Sequence, residues 1–537
     1  MDATLVTPRA PAARSRLDSK ITKSPGAMGS AIFMVLLLIG LIYAASQLFR
    51  DLGTVHSASS TPFIFLGIAL LVALGFEFVN GFHDTANAVA TVIYTHSLEP
   101  HTAVAWSGAW NFIGVLVSSG AVAFGIVSLL PVELILQVGS SAGFSMVFAL
   151  LAAAIIWNLG TWYFGLPSSS SHTLIGSIIG VGIANQLLAP NSGTSGVDWG
   201  QAAQIGKSLL LSPLLGFGFA AGLLVLMKRF VPRPELYAAP EGTQPPPFWI
   251  RGLLILTCTG VSFAHGSNDG QKGMGLIMLI LVGTVPTAYA LNRAIPASQT
   301  ADFVAVSEQA ADVMNKYAPP GAAFADARAE VTDFIHKKEL QPATFAAMAA
   351  LTRGISTDMG RYKELKRVPS ESVRNFRNDM FLVSECLRVI DKHKLGAIAD
   401  GDKLVLANYK KHVDDATKFI PPWVKVAVAI ALGLGTMVGW KRIVVTVGEK
   451  IGKDHLTYAQ GAAAELVAMT TIGAADAFGL PVSTTHVLSS GVAGTMAANH
   501  TGLQFETVRN LLLAWVLTLP VSMLLAGSLF WLFRSFG

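Results

Sequence analysis

Charged side chains are scarce in this sequence. Asp, Glu, Lys and Arg make up 13% of its 537 residues, whereas soluble domains carry about 25%. The mean hydropathy is +0.53, and apolar runs of about 20 residues, the length that crosses a bilayer, recur along the chain. This composition excludes an ordinary soluble protein and predicts an all-α polytopic membrane protein surrounded by a lipid bilayer.

Cysteine is also scarce. Cys258 and Cys386 are the only two, so the sequence offers neither a disulfide framework nor a metal site made of spaced cysteines. The net charge is +5, and no basic run interleaved with aromatic residues predicts nucleic-acid binding. The sequence predicts no cofactor.

Two motifs occur twice. Residues 164–172 read Phe-Gly-Leu-Pro-Ser-Ser-Ser-Ser-His, and residues 478–486 read Phe-Gly-Leu-Pro-Val-Ser-Thr-Thr-His. Upstream of each, a Phe, a Gly and an Asp recur at equal spacing, ending at Asp84 in one copy and at Asp269 in the other. Paired polar, helix-breaking clusters inside apolar segments are typical of transporters whose solute site lies between two repeats.

About half of the charges lie in one segment. Residues 292–420 hold 19 Lys and Arg and 17 Asp and Glu, mixed with apolar residues as in amphipathic helices, which predicts a soluble helical insertion. Asp84 and His172 are 88 residues apart, Asp269 and His486 are 217 apart, and the difference equals the 129 residues of the insertion. The two halves therefore register once the insertion is set aside.

The order of the segments predicts two inverted repeats. Three crossings in the first half accompany a re-entrant helical hairpin, so the second half starts on the opposite side. The predicted organisation is a disordered basic tail (1–28), an extra span and loop (29–62), the first transport repeat (63–227), a linker (228–249), and a second transport repeat (250–291 and 421–537) interrupted by the insertion (292–420).

Basic residues predict the orientation. They concentrate in the N-terminal tail, in 228–251 and in 441–453, three segments that this topology places on one side, which is expected to be cytoplasmic. The insertion then lies in the periplasm. The apolar run 30–49 is longer than the core of a signal peptide, so it is expected to be a retained span, with cleavage after it as the alternative.

The Pro-containing motifs predict a site for an anion. After Pro167 and Pro481 a new helix is expected, whose free backbone N–H groups and positive dipole end favour an anion. Ordinary helix capping is the alternative for one such motif, but two of them favour a ligand. The hydroxyl groups predicted to bind the oxygens of a tetrahedral oxyanion are those of Ser169, Ser170, Ser171, Ser483, Thr484 and Thr485.

The acidic motifs predict a site for a cation or a proton. A carboxylate inside a membrane segment is costly and marks a functional site. Glycines beside Asp84 and Asp269 are expected to open both helices, so that freed carbonyl groups join the site. Asn87 and Asn268 are predicted to contact the anion there. Capping of the two broken helices by the aspartates is the alternative interpretation.

Three further residues are assigned to coupling. Lys272 stands where the first copy has Asn87, and is expected to act as a built-in cation that neutralises Asp269 or contacts the anion; a lysine that reaches the membrane surface is the alternative. Glu77 lies about two helical turns before the first aspartate on the same face. His83 precedes that aspartate directly. Both are expected to relay protons.

These motifs resemble those of the inorganic phosphate transporter (PiT) family, most of all its bacterial low-affinity PitA-type branch. The similarity lies in residues 81–88, residues 265–273 and the paired Leu-Pro-x-Ser-x-x-His motifs, and it covers 63–533. It implies an inner-membrane symporter that carries phosphate as a neutral complex with a divalent metal such as magnesium, which Asp84 and Asp269 would also face. It also implies a homodimer.

Departures from the family pattern bear on the coupling ion. The resemblance implies that sodium-coupled relatives have an Asn at the positions of His83 and Lys272, so these residues favour protons over sodium. Two alternatives stay open: a transporter coupled to sodium or specific for another tetrahedral oxyanion, and a phosphate-sensing membrane protein that uses 292–420. A hydrolase is disfavoured because the Ser–His motifs lack a nucleophile elbow. The sequence thus predicts a non-enzyme that works by alternating access.

Overall fold

The computed structural model describes residues 26–53, 61–130, 140–188, 197–240 and 244–536, without the side chains of residues 85–87 and 536. Within these residues the chain is helical, and its β structure is limited to one isolated bridge between Gly452 and Leu503. The predicted tail 1–28 lies outside the described residues except for its last three.

The first half of the chain forms seven helices within the described residues. They are α1 (Ala27–Leu52), α2 (Thr61–Tyr94), α3 (Pro100–Val117), α4 (Ala121–Val127), α5 (Ser141–Tyr163), α6 (Ser170–Leu188) and α7 (Trp199–Phe230). Side chains mark two of the starts: the Ser140 hydroxyl accepts a hydrogen bond from the Gly143 N–H before α5, and the Asp198 carboxylate accepts one from the Gln201 N–H before α7. These caps satisfy donors that a first helical turn leaves free.

The second half contains the insertion. Its helices are α8 (Phe248–Thr284), α9 (Pro286–Tyr289), the insertion helices α10 (Thr300–Lys316), α11 (Ala327–Lys337), α12 (Thr344–Tyr362), α13 (Ser370–His393) and α14 (Asp400–Thr417), and then α15 (Pro422–Gly435), α16 (Lys441–Val445), α17 (Tyr458–Ala477), α18 (Thr484–Ala498) and α19 (Phe505–Phe536). The insertion helices bury apolar side chains such as Phe303, Phe334 and Tyr409, as their amphipathic sequences predict.

Seven helices of the described residues are long and apolar enough to cross a bilayer: α1, α2, α5, α6, α7, α8 and α19. Two bent pairs bring the number to nine if each is one span; α3 and α4 meet at 76°, and α14 and α15 meet at 71°. The predicted all-α polytopic membrane fold is confirmed.

One expectation about the helices is wrong. The sequence predicts breaks near Asp84 and Asp269, but α2 and α8 run unbroken through both residues. The neighbouring glycines serve close packing instead, because a methyl group at Gly81 would collide with the backbone of α15 and one at Gly266 with the backbone of α3. Small residues let helices approach in this way within membranes.

The insertion gathers several helix ends, which we name the insertion end of the molecule. The Tyr289 hydroxyl, after α8, donates a hydrogen bond to the Asp51 carboxylate at the end of α1, 2.5 Å away. The Lys338 ammonium of the insertion lies 2.8 Å from the Asp198 carboxylate, which precedes α7. The end of α1, the start of α7 and the end of α8 thus share one side.

Other helix ends meet on the opposite side, which we name the linker end. The Arg251 guanidinium, at the start of α8, donates to the Ser97 carbonyl just after α2, 2.8 Å away. The Tyr94 hydroxyl at the end of α2 donates to Glu449, 2.9 Å away. Gln504, just before α19, donates to the Glu449 carbonyl at 3.0 Å. Hence α2 and α8 run in opposite directions.

Two helical hairpins enter from opposite ends. The first joins α5 to α6 through the first tip, residues 164–169, and the Thr446 hydroxyl donates to the Gly165 carbonyl at 2.8 Å. The second joins α17 to α18 through the second tip, residues 478–483, where Gly479 packs against Ala121 of α4. The predicted helix starts after the prolines are confirmed, since α6 begins at Ser170 and α18 at Thr484.

The two halves exchange partners symmetrically. A methyl group at Gly180 of α6 would collide with the Met523 carbonyl of α19, and one at the corresponding Gly494 of α18 would collide with the Phe217 carbonyl of α7. Helix α2 likewise packs on α15, and α8 on α3. Each half is therefore packed mainly against the other, and the polar residues that both halves contribute are brought to one interior.

Candidate transport site

Asp84 contacts both helical hairpins. The Ser170 hydroxyl at the start of α6 donates a hydrogen bond to Asp84 Oδ2 at 2.8 Å, and the Thr485 hydroxyl at the start of α18 donates to Asp84 Oδ1. The carboxylate is 2% exposed. One buried acid of the first half thus contacts the N-terminal turns of two helices, one from each half.

Asp269 forms an ion pair with a lysine of its own helix. The Lys272 ammonium lies 2.7 Å from Asp269 Oδ2 and donates to the Ser171 hydroxyl at 2.5 Å. The Ser170 hydroxyl is also 3.2 Å from Asp269 Oδ2, so it bridges both aspartates. Lys272 is 0% exposed, so its side chain does not reach the membrane surface. Of the two contacts that the sequence suggests for Lys272, the structure contains the one with Asp269.

His265 lies between the two carboxylates. Its Nε2 atom is 3.5 Å from Asp269 Oδ2 and 3.9 Å from Asp84 Oδ2, while its Nδ1 atom is 2.8 Å from the Asn111 amide oxygen. An amide oxygen only accepts, so Nδ1 carries a proton; a second proton on Nε2 makes a charged imidazole facing two carboxylates. Without that second proton, one ligand atom of each of Asp84, His265 and Asp269 lies within 4.8 Å of the others, which would suit a divalent cation.

His83 borders the first carboxylate from the other side. Its Nδ1 atom lies 3.2 Å from Asp84 Oδ1, and its Nε2 atom lies 3.2 Å from the Thr161 hydroxyl of α5. The Thr161 hydroxyl is in turn 2.8 Å from that of Ser168 in the first tip. A continuous polar chain therefore links the first tip to Asp84 through an imidazole that can carry a proton.

The six predicted hydroxyl groups have different partners. Ser169 and Ser483 accept hydrogen bonds from the backbone N–H groups three residues later, at 3.2 and 3.1 Å, so they cap α6 and α18. Ser171 donates to the Val482 carbonyl of the second tip at 2.7 Å. Thr484 opens α18 and is buried. The capping alternative thus describes Ser169 and Ser483, whereas Ser170 and Thr485 contact carboxylates.

The remaining predicted residues are placed less centrally. Asn268 donates to the Leu480 carbonyl of the second tip at 3.1 Å, and its own oxygen has no partner among the described residues. Glu77 is fully buried against Gly273, and neither carboxylate oxygen has a hydrogen-bond partner in the described part of the chain. The side chain of Asn87 lies outside the described residues.

Several contacts at the site are not predicted by the repeats. Asn111 orients His265, and Asp476 accepts hydrogen bonds from Ser267 at 2.6 Å and Gln271 at 2.5 Å. The signal for Asn111 is a polar residue within the apolar run 103–130. Asp476 has no acidic counterpart in the first half, where Trp162 stands at the matching position. It ties α17 to α8.

The two tip histidines contact each other. The His172 and His486 ring centroids are 4.6 Å apart, and the His486 ring stacks on the Trp515 indole at 4.2 Å. The indole N–H donates to the Pro167 carbonyl in the first tip at 3.0 Å. These contacts hold the two hairpins against each other.

The arrangement couples an anion to positive charge. Two carboxylates stand at the N-terminal turns of α6 and α18, where the helix dipoles and hydroxyl groups favour an anion. In a poorly solvated site an anion and two carboxylates repel each other strongly, so this arrangement favours an anion that is accompanied by positive charge. Chemistry of this kind needs no nucleophile.

These features define a class: a multi-pass helical membrane protein with a buried ionisable site held between two exchanged halves, as in secondary transporters. The chain belongs to the phosphate transporter family, whose family model matches residues 80–526. It is 42% identical over 494 residues to the low-affinity inorganic phosphate transporter PitB of Escherichia coli K12, covering 87% of this chain and 97% of that protein.

A second relative and one solved structure also match this chain. The low-affinity inorganic phosphate transporter PitA of the same organism is 42% identical over 496 residues, covering 88% of this chain and 97% of PitA. A solved structure titled "The sodium-dependent phosphate transporter" matches with a TM-score of 0.47 at 18% identity, over 88% of this chain and 99% of that one. These relatives are named transporters, in line with the expected absence of enzyme activity.

Proposed function

We propose that this protein is a secondary active transporter that carries inorganic phosphate in symport with protons by alternating access. The single observation that carries the proposal is that Ser170 of the first hairpin and Thr485 of the second both donate to Asp84. A site built from two tips on one carboxylate can open toward either side without being dismantled. The two 42%-identical relatives are low-affinity inorganic phosphate transporters, which supports phosphate as the substrate.

The hydroxyl groups are the phosphate ligands in this proposal. When phosphate enters, Ser170, Ser171 and Thr485 turn from their present acceptors toward its oxygens, joined by the backbone N–H groups that α6 and α18 leave free at their starts. Asn268, Asn87 and Thr484 complete the shell. Ser169 and Ser483 act through the caps that fix the two tips.

Protons make this exchange possible. Protonation of Asp84 removes a negative charge and releases its two hydroxyl donors for phosphate. In this proposal His83 and His265 transfer protons to Asp84. Glu77, which is buried without a hydrogen-bond partner among the described residues, holds a further proton. Lys272 balances the charge of Asp269 in this proposal, which favours proton coupling through the first half.

The substrate is proposed to include a divalent metal. A metal-hydrogenphosphate complex is neutral. In the proposed orientation its metal ion faces the carboxylates of Asp84 and Asp269, and its phosphate oxygens face the hydroxyl groups. Carboxylate oxygens are the ligands that magnesium prefers, and His265 lies close enough to donate a hydrogen bond to the complex. The metal is cargo in this scheme.

The two halves are proposed to be inverted repeats of a bacterial inner-membrane protein. Its N-terminus is proposed to be cytoplasmic and its insertion periplasmic. The opposite directions of α2 and α8 support the inversion. Basic residues at the linker end support that side as the cytoplasmic one. A homodimer is part of the proposal by resemblance to the family.

Uptake of labelled phosphate into proteoliposomes tests this function. A proton gradient, inside alkaline, is expected to drive accumulation that increases with magnesium, whereas a sodium gradient alone is not. Uptake driven by sodium alone would replace the proton proposal with its sodium alternative. Preferred uptake of sulfate or arsenate in competition would change the substrate. Binding without net flux in any gradient would favour a sensor.

A further inference from the structure

A cavity of about 340 Å³ lies between the transport core and the insertion. Its floor is mostly apolar and comes from α4 and α8, with Phe124, Gly275 and Met278 among its residues. Its roof comes from the insertion helices α13 and α14 and is charged. The charged residues that line it are Arg377, Glu385, Arg388, Asp414 and Lys418.

The carboxylate of α14 is already neutralised. Asp414 lies 2.5 Å from the Lys410 ammonium and 2.9 Å from the Lys418 ammonium. It also accepts a hydrogen bond from the Ser384 hydroxyl at 2.6 Å. Although burial raises the pKa of Asp414, the two lysines lower it below its ordinary value. This cluster therefore has one more positive charge than negative.

The carboxylates on the other side of the cavity are neutralised as well. Glu385 lies 2.6 Å from Arg388, whose guanidinium is also 3.3 Å from Asp198. Asp198 is 2.8 Å from Lys338. Burial opposes ionisation, but the hydrogen bond from Lys338 and the backbone bond from Gln201 bring the pKa of Asp198 to about 2. Each of these carboxylates therefore already has a cationic partner of its own.

Arg377 is the cation left over. Among the described residues no carboxylate lies within ion-pair distance of its guanidinium, and its Nε atom is buried without a hydrogen-bond partner. The guanidinium stacks on the Phe381 ring, 4.8 Å from the centroid, and reaches the Asn378 amide oxygen at only 3.5 Å. Burial lowers its pKa to about 10, against the charge of Glu385, so it stays protonated at neutral pH.

A half-buried guanidinium with no ion-pair partner among the described residues, and with its Nε atom buried and unbonded, calls for an anion. Burial of a charge costs free energy unless the charge is paired, and the planar guanidinium fork matches the oxygens of phosphate in a bidentate contact. The cavity is wide enough for a phosphate ion with part of its hydration shell. Its excess positive charge would also raise the local concentration of anions.

The cavity adjoins the transport site. Gly275 in its floor follows Lys272 by one helical turn of α8, a rise of about 5 Å. Ala121, at its edge, contacts Gly479 of the second tip. The Val122 N–H of α4 donates to Gln271, which lies beside Lys272 in sequence, at 3.0 Å. An anion in the cavity would thus lie next to the second tip.

We infer that this cavity is a second phosphate site, a vestibule at the insertion end in which Arg377 holds the ion beside the central site. The inference rests on the proposed function, because it takes phosphate as the transported ion. It gives the insertion a direct part in transport: the insertion supplies the cation that concentrates substrate at one mouth of the pathway.

Equilibrium binding of labelled phosphate to the purified full-length protein in nanodiscs tests the vestibule. Wild type is expected to bind two phosphate ions per chain and Arg377→Gln only one. Arg374→Gln, an exposed arginine on the same helix, serves as matched control and should bind two. A single ion per wild-type chain, or two in Arg377→Gln, would overturn the inference. Failure of the proposed function would show differently, as absence of net uptake by wild type.

Uptake kinetics provide a second test, which also applies if only part of the Arg377→Gln protein folds. Arg377→Gln should raise the KM for phosphate uptake from the insertion side about tenfold, the loss expected for one charge-assisted contact, with little change in the maximal rate. Arg377→Lys should recover part of it. Gln201→Glu keeps its shape and its neighbour Lys392 while adding a negative charge to the cavity wall, so it should raise KM without removing any contact. Unchanged KM in Arg377→Gln and Gln201→Glu would contradict the vestibule.

Discussion

The two halves present one carboxylate each to the same interior but treat it differently. Asp84 accepts hydrogen bonds from Ser170 and Thr485 and lies beside His83. Asp269 is held by Lys272 at 2.7 Å. Hydroxyl groups and imidazoles can exchange their partners with a proton or a ligand, whereas Asp269 has a cationic partner three residues away on its own helix. A nearly symmetric fold thus assigns variable charge to one half and fixed charge to the other.

The largest expected effect comes from the aspartates. Asp84→Asn keeps the shape but removes the negative charge and one of the two oxygens that accept from Ser170 and Thr485, so phosphate uptake should fall to background. Asp269→Asn should do the same while also leaving Lys272 buried without its counter-charge, a loss of about 3–5 kcal/mol for a broken buried pair. Uptake into proteoliposomes and thermal unfolding in detergent measure the two effects.

The comparison predicts a difference between these variants. Asp269→Asn should unfold at a lower temperature than Asp84→Asn, and Lys272→Gln added to Asp269→Asn should restore the stability but not the uptake. Normal uptake by either single variant would remove Asp84 and Asp269 from the mechanism. Equal melting temperatures would contradict the fixed pairing of Asp269 with Lys272.

A second large effect is expected from the glycines on which the helices cross. Gly81→Ala and Gly266→Ala should each prevent normal packing, because the added methyl group meets the backbone of α15 or α3. The yield of folded protein by size-exclusion chromatography should fall severalfold. Gly75→Ala on α2 is the matched control, since nothing lies within 4 Å of its added carbon. A normal yield for Gly81→Ala would mean that the helices separate easily.

Lys272→Asn makes the second half chemically like the first. The ammonium that neutralises Asp269 and donates to Ser171 is lost, so uptake should fall about tenfold or more. The remaining uptake should depend differently on ions, with sodium able to take the place of the lysine charge. Comparison of proton and sodium gradients measures this, and unchanged uptake with unchanged ion dependence would rule out a built-in cation.

The smallest effect separates the ligand hydroxyl from the cap. Ser171→Ala removes one hydrogen-bond donor to phosphate and should raise KM severalfold, in keeping with about 1 kcal/mol for one hydrogen bond. Ser169→Ala removes a helix cap and should cost about 1 kcal/mol of stability with a smaller effect on KM. Thermal unfolding and uptake kinetics distinguish them; the reverse pattern would exchange the roles of Ser169 and Ser171.

The repeats made much of this fold predictable. Both hairpin starts, the register across the insertion and the buried Asp84 and Asp269 follow from local motifs whose residue types have a direct physical meaning. Gly81 and Gly266 did not, because a glycine that opens a helix and one that lets two helices touch look alike in sequence. Only the position of a neighbouring backbone distinguishes the two cases.

Contacts between distant segments were beyond the sequence. Thr485 and Asp84 are far apart along the chain, and nothing local indicates that a hydroxyl of the second half would reach the carboxylate of the first. The same holds for His172 and His486, which a motif places at equivalent positions but only packing places face to face. The cavity under Arg377 likewise arises where the insertion lies on α4 and α8.

The glycine contacts between α6 and α19, and between α18 and α7, have a consequence for movement. Each of these pairs joins one helix from each half, and at Gly180 and Gly494 the two backbones approach so closely that a methyl group would not fit between them. The natural rigid bodies of this protein are therefore mixed pairs and not the repeats themselves. A movement of either hairpin would therefore carry with it a long helix that belongs to the other half of the chain.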